Sequence, residues 1–157
     1  MVGRVLLHSA QMTEQHVEIR EATVVDDALV EAMARLVPQL SNSNLAPDEA
    51  ALSAIVESDT SILLLAEEGG AVLGMMTLVV FRIPTGVRAW IEDVVVDEAA
   101  RGRGVGEALN RVAIQRAHDA GARTVDLTSR PSREAASRLY SRLGFEQRDT
   151  NVYRLES

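Results

Sequence analysis

"DEAARGRGVGEALNRVAIQRA", residues 97–117, joins a strand-like segment to a helical one through a loop rich in glycine and arginine. After the loop, apolar residues recur at the i, i+3, i+4, i+7 and i+8 spacing of one helix face: Val105, Ala108, Leu109, Val112 and Ala113. Gly121 follows them, and glycine commonly ends a helix. The pattern predicts a helix that begins near Val105 and ends at Gly121.

The loop before this helix has the chemistry of an anion-binding site. Backbone N–H groups of Gly102, Gly104 and Gly106 fall at the start of the helix, where its partial positive charge is concentrated. Because glycine has no Cβ, a ligand can touch the main chain there. Arg101 and Arg103 add guanidinium groups whose forked donors suit phosphate oxygens. The alternative is an ordinary strand-to-helix turn with arginines that face solvent.

Two common phosphate-binding motifs do not fit the loop. A dinucleotide-binding G-x-G-x-x-G motif needs glycine at position 107, where Glu107 would repel a pyrophosphate. A Walker loop needs a lysine, and all 16 basic residues of the chain are arginine. The absence of lysine also excludes a Schiff-base mechanism.

The segments around the loop predict an α+β fold, a mixed α/β arrangement around one mostly antiparallel sheet. Three strands, 61–68, 71–82 and 87–97, are separated by Gly-Gly and Pro-Thr-Gly turns and form a meander. Residues 123–129 form a strand parallel to the third of these, because a helix connects the two. Other predicted elements are a strand at 17–23, helices at 25–37 and 48–57, a helix opened by Pro131 and Ser132, and one or two strands within 144–156.

Length and composition indicate one globular domain. The chain has 157 residues, of which 46% are hydrophobic, and we expect a leader at 1–16 followed by a single domain at 17–157. A net charge of −7 argues against nucleic acid as a partner and favours a cationic one. The chain has no cysteine, its three histidines are far apart, and no apolar run could span a bilayer. We therefore expect no metal, no membrane partner and a cytoplasmic location.

The loop and the segments on both sides of it resemble a known family. Residues 101–106, RGRGVG, match the R/Q-x-x-G-x-G/A motif of the GNAT family of N-acetyltransferases. The strand IEDVVVD precedes the motif, and SRLYSRLGF follows at a family-like distance. The resemblance covers residue 17 to about residue 155, and it includes the order of the elements.

The resemblance implies a three-layer fold and a co-substrate, acetyl-coenzyme A. Its pyrophosphate would lie in the loop formed by Arg101, Gly102, Arg103, Gly104, Val105 and Gly106. Family members have a parallel strand pair, here 90–96 and 125–129, that splays apart at one end. The pantetheine arm would lie in that gap and bond to the backbone of Val94, Val95 and Val96, as an added strand does. A valine triplet is otherwise typical of a core strand.

The resemblance also implies a general acid. Tyr140 lies where the family motif LYxxxGF places the residue that protonates the departing thiolate, and it would also contact the cofactor. A phenol with a pKa of ~10 can share a proton with a thiol of pKa ~8.5 at modest cost. Without the motif, Tyr140 is a packing residue on the inner face of a helix.

Glu92 is the candidate base that would deprotonate the amine. It lies two residues before Val94, in an IED segment that resembles the strand of glucosamine-phosphate-type family members, where this position is a proposed base. By strand alternation, Glu92 and Asp93 point to opposite faces of the sheet. An ion pair with an arginine is an equally good interpretation of Glu92. The sequence departs from the family at Arg133, where many members have asparagine.

These observations lead to three hypotheses about function. The first is an acetyl-CoA-dependent N-acetyltransferase that acts on a primary amine of a small molecule or peptide, by direct attack on the thioester. The second is a catalytically silent acyl-CoA-binding or regulatory domain. The third is a nucleotide-binding module with a wholly parallel sheet, which the consecutive hairpins argue against. A homodimer formed through the final strands is a further hypothesis.

Overall fold

A computed structural model describes residues 16–157, so the predicted leader lies almost entirely outside the described residues. Within this range the chain forms five strands, four α-helices and one short 3-10 turn. Their bounds are β1 (Glu18–Glu21), α1 (Asp27–Leu40), α2 (Glu49–Val56), β2 (Ser61–Glu68), β3 (Ala71–Ile83), β4 (Gly86–Val96), the turn (Glu98–Ala100), α3 (Val105–Asp119), β5 (Ala122–Asp126) and α4 (Glu134–Arg142).

The strands form one sheet in the order β1-β2-β3-β4-β5. The first four strands pair antiparallel with their neighbours, while β4 and β5 pair parallel across the α3 crossover. The predicted α+β fold, a mostly antiparallel sheet with one parallel pair, is confirmed. The mixed sheet excludes the wholly parallel nucleotide-binding module.

Side-chain alternation along β2 builds a core on each face of the sheet. Leu63 and Leu65 point into a cluster with the buried faces of α1 and α2. Leu64 and Ala66 point the other way, into a cluster with the buried face of α3. Helices therefore cover both faces, and the molecule has three layers.

Helix α1 continues past its predicted end at residue 37 and includes Pro38. Asp26 caps its start by accepting from the N–H of Leu29 at 2.8 Å, and it ends at Leu40. Pro38 is inside the last turn, where it has no N–H to donate to the carbonyl of Ala34. The predicted end was wrong because buried apolar residues before Pro38 hold the helix on the sheet.

Several C-terminal boundaries also differ from prediction. Strand β5 ends at Asp126, and Arg133 occupies the N-cap of α4 without a side-chain cap bond, so Ser132 does not cap that helix. Residues 143–157, all of them within the described part of the chain, form no strand, so the predicted final strands were wrong. Val152, Tyr153 and Leu155 are exposed there. Alternation of apolar residues does not make a strand by itself, because strand formation also depends on packing against neighbours.

Candidate active site

The loop between β4 and α3 presents bare backbone at the start of a helix. Gly104 is the N-cap of α3, with φ +78°, and no side chain caps the first N–H groups of this helix. Gly102 also has a positive φ, +76°. A Cβ built on either glycine meets no atom within 4 Å, so the space above them is open. The predicted helix start at Val105 is confirmed, and the loop has the exposed donors that an anion requires.

A cleft with a volume of about 510 Å³ opens over this loop. It runs between β4, the start of α3 and helix α4. Every predicted site residue except Glu92 and Arg103 lines it: Val94, Val95, Val96, Arg101, Gly102, Gly104, Val105, Gly106 and Tyr140. The fold thus brings together residues that are separated by more than a helix and a strand in the sequence.

The parallel strand pair separates beside the cleft. Pairing between β4 and β5 ends at Trp90 and Asp126, so Val94, Val95 and Val96 have no partner residue on β5. On the other side, Val95 and Val96 pair with Met75 and Gly74 of β3. One edge of β4 is therefore open toward the cleft.

A β-bulge in β4 lies at its two acidic residues, Glu92 and Asp93. Thr77 pairs with Glu92 and Met75 pairs with Val95, so two residues of β4 lie opposite one residue of β3. Asp93 is in the left-handed region, with φ +52°, and both Asp93 and Glu92 are exposed. The bulge interrupts the regular alternation of β4 at this point. That Glu92 and Asp93 point to opposite faces of the sheet stays a prediction.

The two carboxylates of the bulge differ in their surroundings. Glu92 accepts a hydrogen bond from the indole Nε1 of Trp90 at 2.8 Å and does not line the cleft. Local desolvation, and then the nearby charge of Glu92, raise the pKa of Asp93. The Asp93 side chain is exposed, so solvent screens its charge and weakens the effect of the raised pKa on stability.

Tyr140 reaches the cleft from α4. Its ring packs edge-on against Phe145, with centroids 5.7 Å apart and planes at 73°. Desolvation raises the pKa of the half-buried phenol, and the positive charge of Arg133 offsets only part of this effect. The phenol therefore keeps its proton at neutral pH.

One protein family matches most of the chain. The family model described as Acetyltransferase (GNAT) family matches residues 29–145. The chain belongs to the GNAT acetyltransferase family. No curated protein matches the sequence significantly.

Solved structures share the fold of this GNAT domain. A transcriptional regulator from Bacillus halodurans C-125 is 30% identical, with a TM-score of 0.75, and the match covers 90% of this chain and 100% of that one. An inferred acetyltransferase from Agrobacterium tumefaciens str. C58 is 26% identical, with a TM-score of 0.79, over 88% of this chain and 99% of that one. Aminoglycoside N-acetyltransferase AAC(6')-Iy, in complex with CoA, is 20% identical with a TM-score of 0.73, over 90% and 95% of the two chains.

Some arginines near the glycine loop line the cleft, whereas another forms an ion pair outside it. Arg101 and Arg133 line the cleft, and with Arg138 they also line an adjoining cavity of about 500 Å³. Arg103 instead contacts both carboxylate oxygens of Glu68, at 2.6 and 2.8 Å. Its guanidinium is engaged at the end of β2, although the backbone of Arg103 stays in the glycine loop.

An ion pair and a hydrogen bond connect the segment just after β4 to helix α1. Asp97 accepts from the N–H of Ala99 and pairs with Arg35. The hydrogen bond from Ala99, followed by the charge of Arg35, lowers the pKa of Asp97. Gln39 of the same helix accepts from the N–H of Glu98 at 2.9 Å and lines the cleft.

Sequence reasoning missed Asn110, which also lines the cleft of this GNAT domain. The side chain is fully buried, at 0% exposure. The available signal was its spacing, since Asn110 lies four residues after Gly106 and so on the same helix face. It interrupts the buried side of α3, where polar residues are rare unless they have a partner.

Among residues 16–157, no three histidine, aspartate or glutamate side chains are grouped so as to hold a metal ion. Over the same residues, no helix is long and apolar enough to cross a lipid bilayer.

Proposed function

We propose that the chain transfers an acetyl group from acetyl-CoA to a primary amine of a small molecule or peptide, by direct attack of the amine on the thioester. The observation that carries the proposal is the cleft itself. One continuous space connects the uncapped start of α3 with the Tyr140 phenol, and the open edge of β4 lies between them. The CoA complex of AAC(6')-Iy, which shares the fold, also supports this co-substrate.

The two ends of the cleft offer different chemistry to such a molecule. Amides of the glycine loop, with the guanidinium groups of Arg101 and Arg133, are suited to the phosphates. The backbone of Val94, Val95 and Val96 is suited to the amides of the pantetheine arm, as in strand addition. The thioester would then lie near Tyr140.

Tyr140 is the proposed general acid. When the thioester C–S bond breaks, the electron pair stays on sulfur, and the phenol can donate its proton to the thiolate. Burial keeps the phenol neutral and thus able to donate. The amine loses one proton when it is acylated. That proton can ultimately return to the phenol, so the overall transfer is balanced.

Glu92 remains the proposed base. Its carboxylate lies outside the cleft and accepts from Trp90, so a proton leaving the amine needs a water molecule to reach it. An amine with a pKa of ~10 arrives mostly protonated at neutral pH, which is why a base is useful. The cationic acceptor suits the net charge of −7.

A catalytically silent regulatory domain is the second candidate. One observation favours it: the Bacillus halodurans protein at 30% identity is described as a transcriptional regulator. Such a domain would bind acyl-CoA in the same cleft without transferring the acyl group. Binding alone therefore does not distinguish the two candidates, and turnover does.

The test of transfer is a panel of amines with acetyl-CoA, in which release of free thiol is followed for the wild type and Tyr140→Phe. General acid catalysis contributes ~10²–10⁴-fold, so we expect kcat of the variant to fall by at least about 100-fold. CoA affinity should stay within about twofold. Equal turnover of both proteins would remove Tyr140 as the acid, and CoA binding without turnover of any amine would favour the silent domain.

The test of the loop is Gly104→Glu against Gly121→Glu. Both glycines lie at ends of α3, with φ +78° and +80°, and both have open space around a built Cβ. Each variant therefore carries a similar backbone strain of ~1–2 kcal/mol. We expect only Gly104→Glu to abolish CoA binding in calorimetry, because its carboxylate would occupy the anion site. Equal affinity of the two variants would contradict the location of the phosphates.

A further inference from the structure

Asn110 is the one fully buried polar residue among those the structure describes. Its amide nitrogen donates to the carbonyl of Gly106 at 2.8 Å. Its carbonyl oxygen Oδ1 is also buried, and no hydrogen-bond partner for it exists within residues 16–157. The side chain lines the cleft. A residue that lines the cleft thus has a buried acceptor without a donor among the described residues.

The orientation of this amide is determined by its helix contact. If the amide were flipped, Oδ1 would face the carbonyl oxygen of Gly106, and two acceptors would oppose each other. The nitrogen therefore stays on the helix side. Buried carbonyl oxygens without a partner are uncommon, because they lose their hydrogen bonds to water. This oxygen requires a donor that the described protein does not supply.

The position of Asn110 indicates which part of a ligand could supply that donor. It lies four residues, ~6 Å along the helix axis, beyond Gly106. A Cβ built on Gly106 would lie 3.7 Å from both Leu139 and Val96, so this face of α3 looks onto β4 and α4. Oδ1 is an acceptor and would repel a phosphate. The ligand group there must carry an N–H or O–H and must lie deeper than the anion site.

We propose that Oδ1 of Asn110 accepts a hydrogen bond from an amide N–H of the pantetheine arm and so positions the arm in the cleft. The inference rests on the proposed function, since it takes CoA as the occupant. The arm carries two amides between its phosphate end and its thiol, and each has one N–H. The open edge of β4 faces the arm from one side, and Asn110 faces it from α3.

The experiment compares two ligands on wild type and Asn110→Leu. CoA contains the pantetheine arm, whereas adenosine 3',5'-bisphosphate contains the adenosine and its phosphates without the arm. Loss of one neutral hydrogen bond weakens binding by about three- to tenfold. We expect a rise of that size in the Kd for CoA and no change in the Kd for the bisphosphate, both measured by calorimetry.

Gln115→Leu is the matched control. It makes the same amide-to-leucine change on the exposed face of the same helix, where Gln115 donates to Asp119 at 2.8 Å. CoA affinity of this control should equal that of the wild type. Asn110→Met, with a more adaptable side chain, is the second variant if Asn110→Leu does not fold, and thermal unfolding checks both.

Three results would overturn the inference. Unchanged CoA affinity of the Asn110 variants would mean that Oδ1 bonds to water or to nothing. An equal loss of affinity for both ligands would mean that Asn110 acts through the structure of α3 rather than on the arm. If the wild type itself does not bind CoA, the proposed function fails, and the inference fails with it.

Discussion

At the scale of single residues, the cleft depends on side chains whose ionisation is controlled by burial and by their partners. Tyr140 is kept neutral by desolvation, whereas Asp97 is kept ionised by a backbone hydrogen bond and by Arg35. The two shifts have opposite consequences for stability. Tyr140 contributes stability that is present below its unfolded pKa and lost as pH rises through the folded value. Asp97 contributes stability that is present above its unfolded pKa and lost as pH falls through the folded value.

The raised pKa of Tyr140 predicts the shape of the pH profile for acetyl transfer. Below pH ~10 the phenol stays protonated, so its ionisation should produce no fall in kcat/KM. The rate should instead rise with pH as the acceptor amine loses its proton. Measurement of kcat/KM from pH 6 to 10 with a saturating donor checks this. An alkaline fall centred near neutral pH, absent in Tyr140→Phe, would contradict it.

The different partners of two arginines predict different effects on CoA binding. Arg101 lines the cleft, whereas Arg103 is paired with Glu68. Hydrogen bonds to charged groups are worth ~1.5–3 kcal/mol, so Arg101→Ala should raise the Kd for CoA by about tenfold or more. Arg103→Ala should change it by less than about threefold. Calorimetry at two salt concentrations measures both, and a larger effect from Arg103 would show that it leaves Glu68 to bind phosphate.

At the scale of elements, close contact between β3, β4 and α3 forms the floor of the cleft. Gly74 of β3 lies where a Cβ would be 2.9 Å from the carbonyl oxygen of Val95 and 3.3 Å from Val105. Both neighbours line the cleft. The absence of a side chain at Gly74 thus lets α3 lie near the strand that is proposed to hold the pantetheine arm.

Gly74→Ala should therefore damage both stability and binding. A Cβ closer than 3 Å to a backbone atom forces β4 to move, and overpacking of this kind costs ~1–3 kcal/mol. We expect a lower free energy of unfolding in urea and weaker CoA binding, because the Val95 carbonyl shifts. Gly106→Ala is the control for stability, since its Cβ has ordinary contacts of 3.7 Å. Equal stability of both variants would contradict the close packing.

Pro38→Ala should stabilise the protein. An interior proline costs a helix ~3 kcal/mol, while its restriction of the unfolded chain returns only ~0.4–1 kcal/mol. Because Pro38 lies in the last turn of α1, we expect a net gain of about 1 kcal/mol, with an unchanged m-value in urea. A loss of stability would show that chain restriction outweighs the missing hydrogen bond to Ala34.

At the scale of the whole molecule, the packing is uneven. Helix α3 buries five residues, whereas α4 buries none completely, although α4 carries Tyr140. One wall of the cleft is therefore held mainly by half-buried side chains such as Leu139 and Leu143. Regions with few buried apolar contacts open at lower free energy than the core.

Hydrogen exchange should show this difference directly. Amides of α4 should exchange faster than those of α3 in the free protein, because less apolar surface must be exposed to open α4. CoA in the cleft should slow exchange in α4 more than in α2, which lies outside the cleft. Mass spectrometry with and without CoA measures both effects. Uniform protection of α2 and α4 by CoA would contradict α4 as a wall of the binding site.

Much of this protein follows from local patterns in the chain. Alternation, helical spacing and glycine turns predicted the order of the elements up to α4, the mixed sheet and the loop at residues 101–106. These features depend on backbone preferences and on neighbours within a few residues, which are visible in the sequence. The errors came where a local rule was outweighed, as at Pro38, or where an alternating segment pairs with no strand of the described sheet, as in residues 144–156.

Other features depend on residues that meet only after folding. Arg103 and Glu68 are 35 residues apart, and the register of the sheet brings them together. The bulge at Asp93 forms where β4 pairs with β3, and burial of Asn110 leaves its Oδ1 without a donor among residues 16–157. Spacing along the chain shows which side chains share an element. Desolvation and pairing across elements, which set the charge and the hydrogen bonding of each group, arise only from packing in three dimensions.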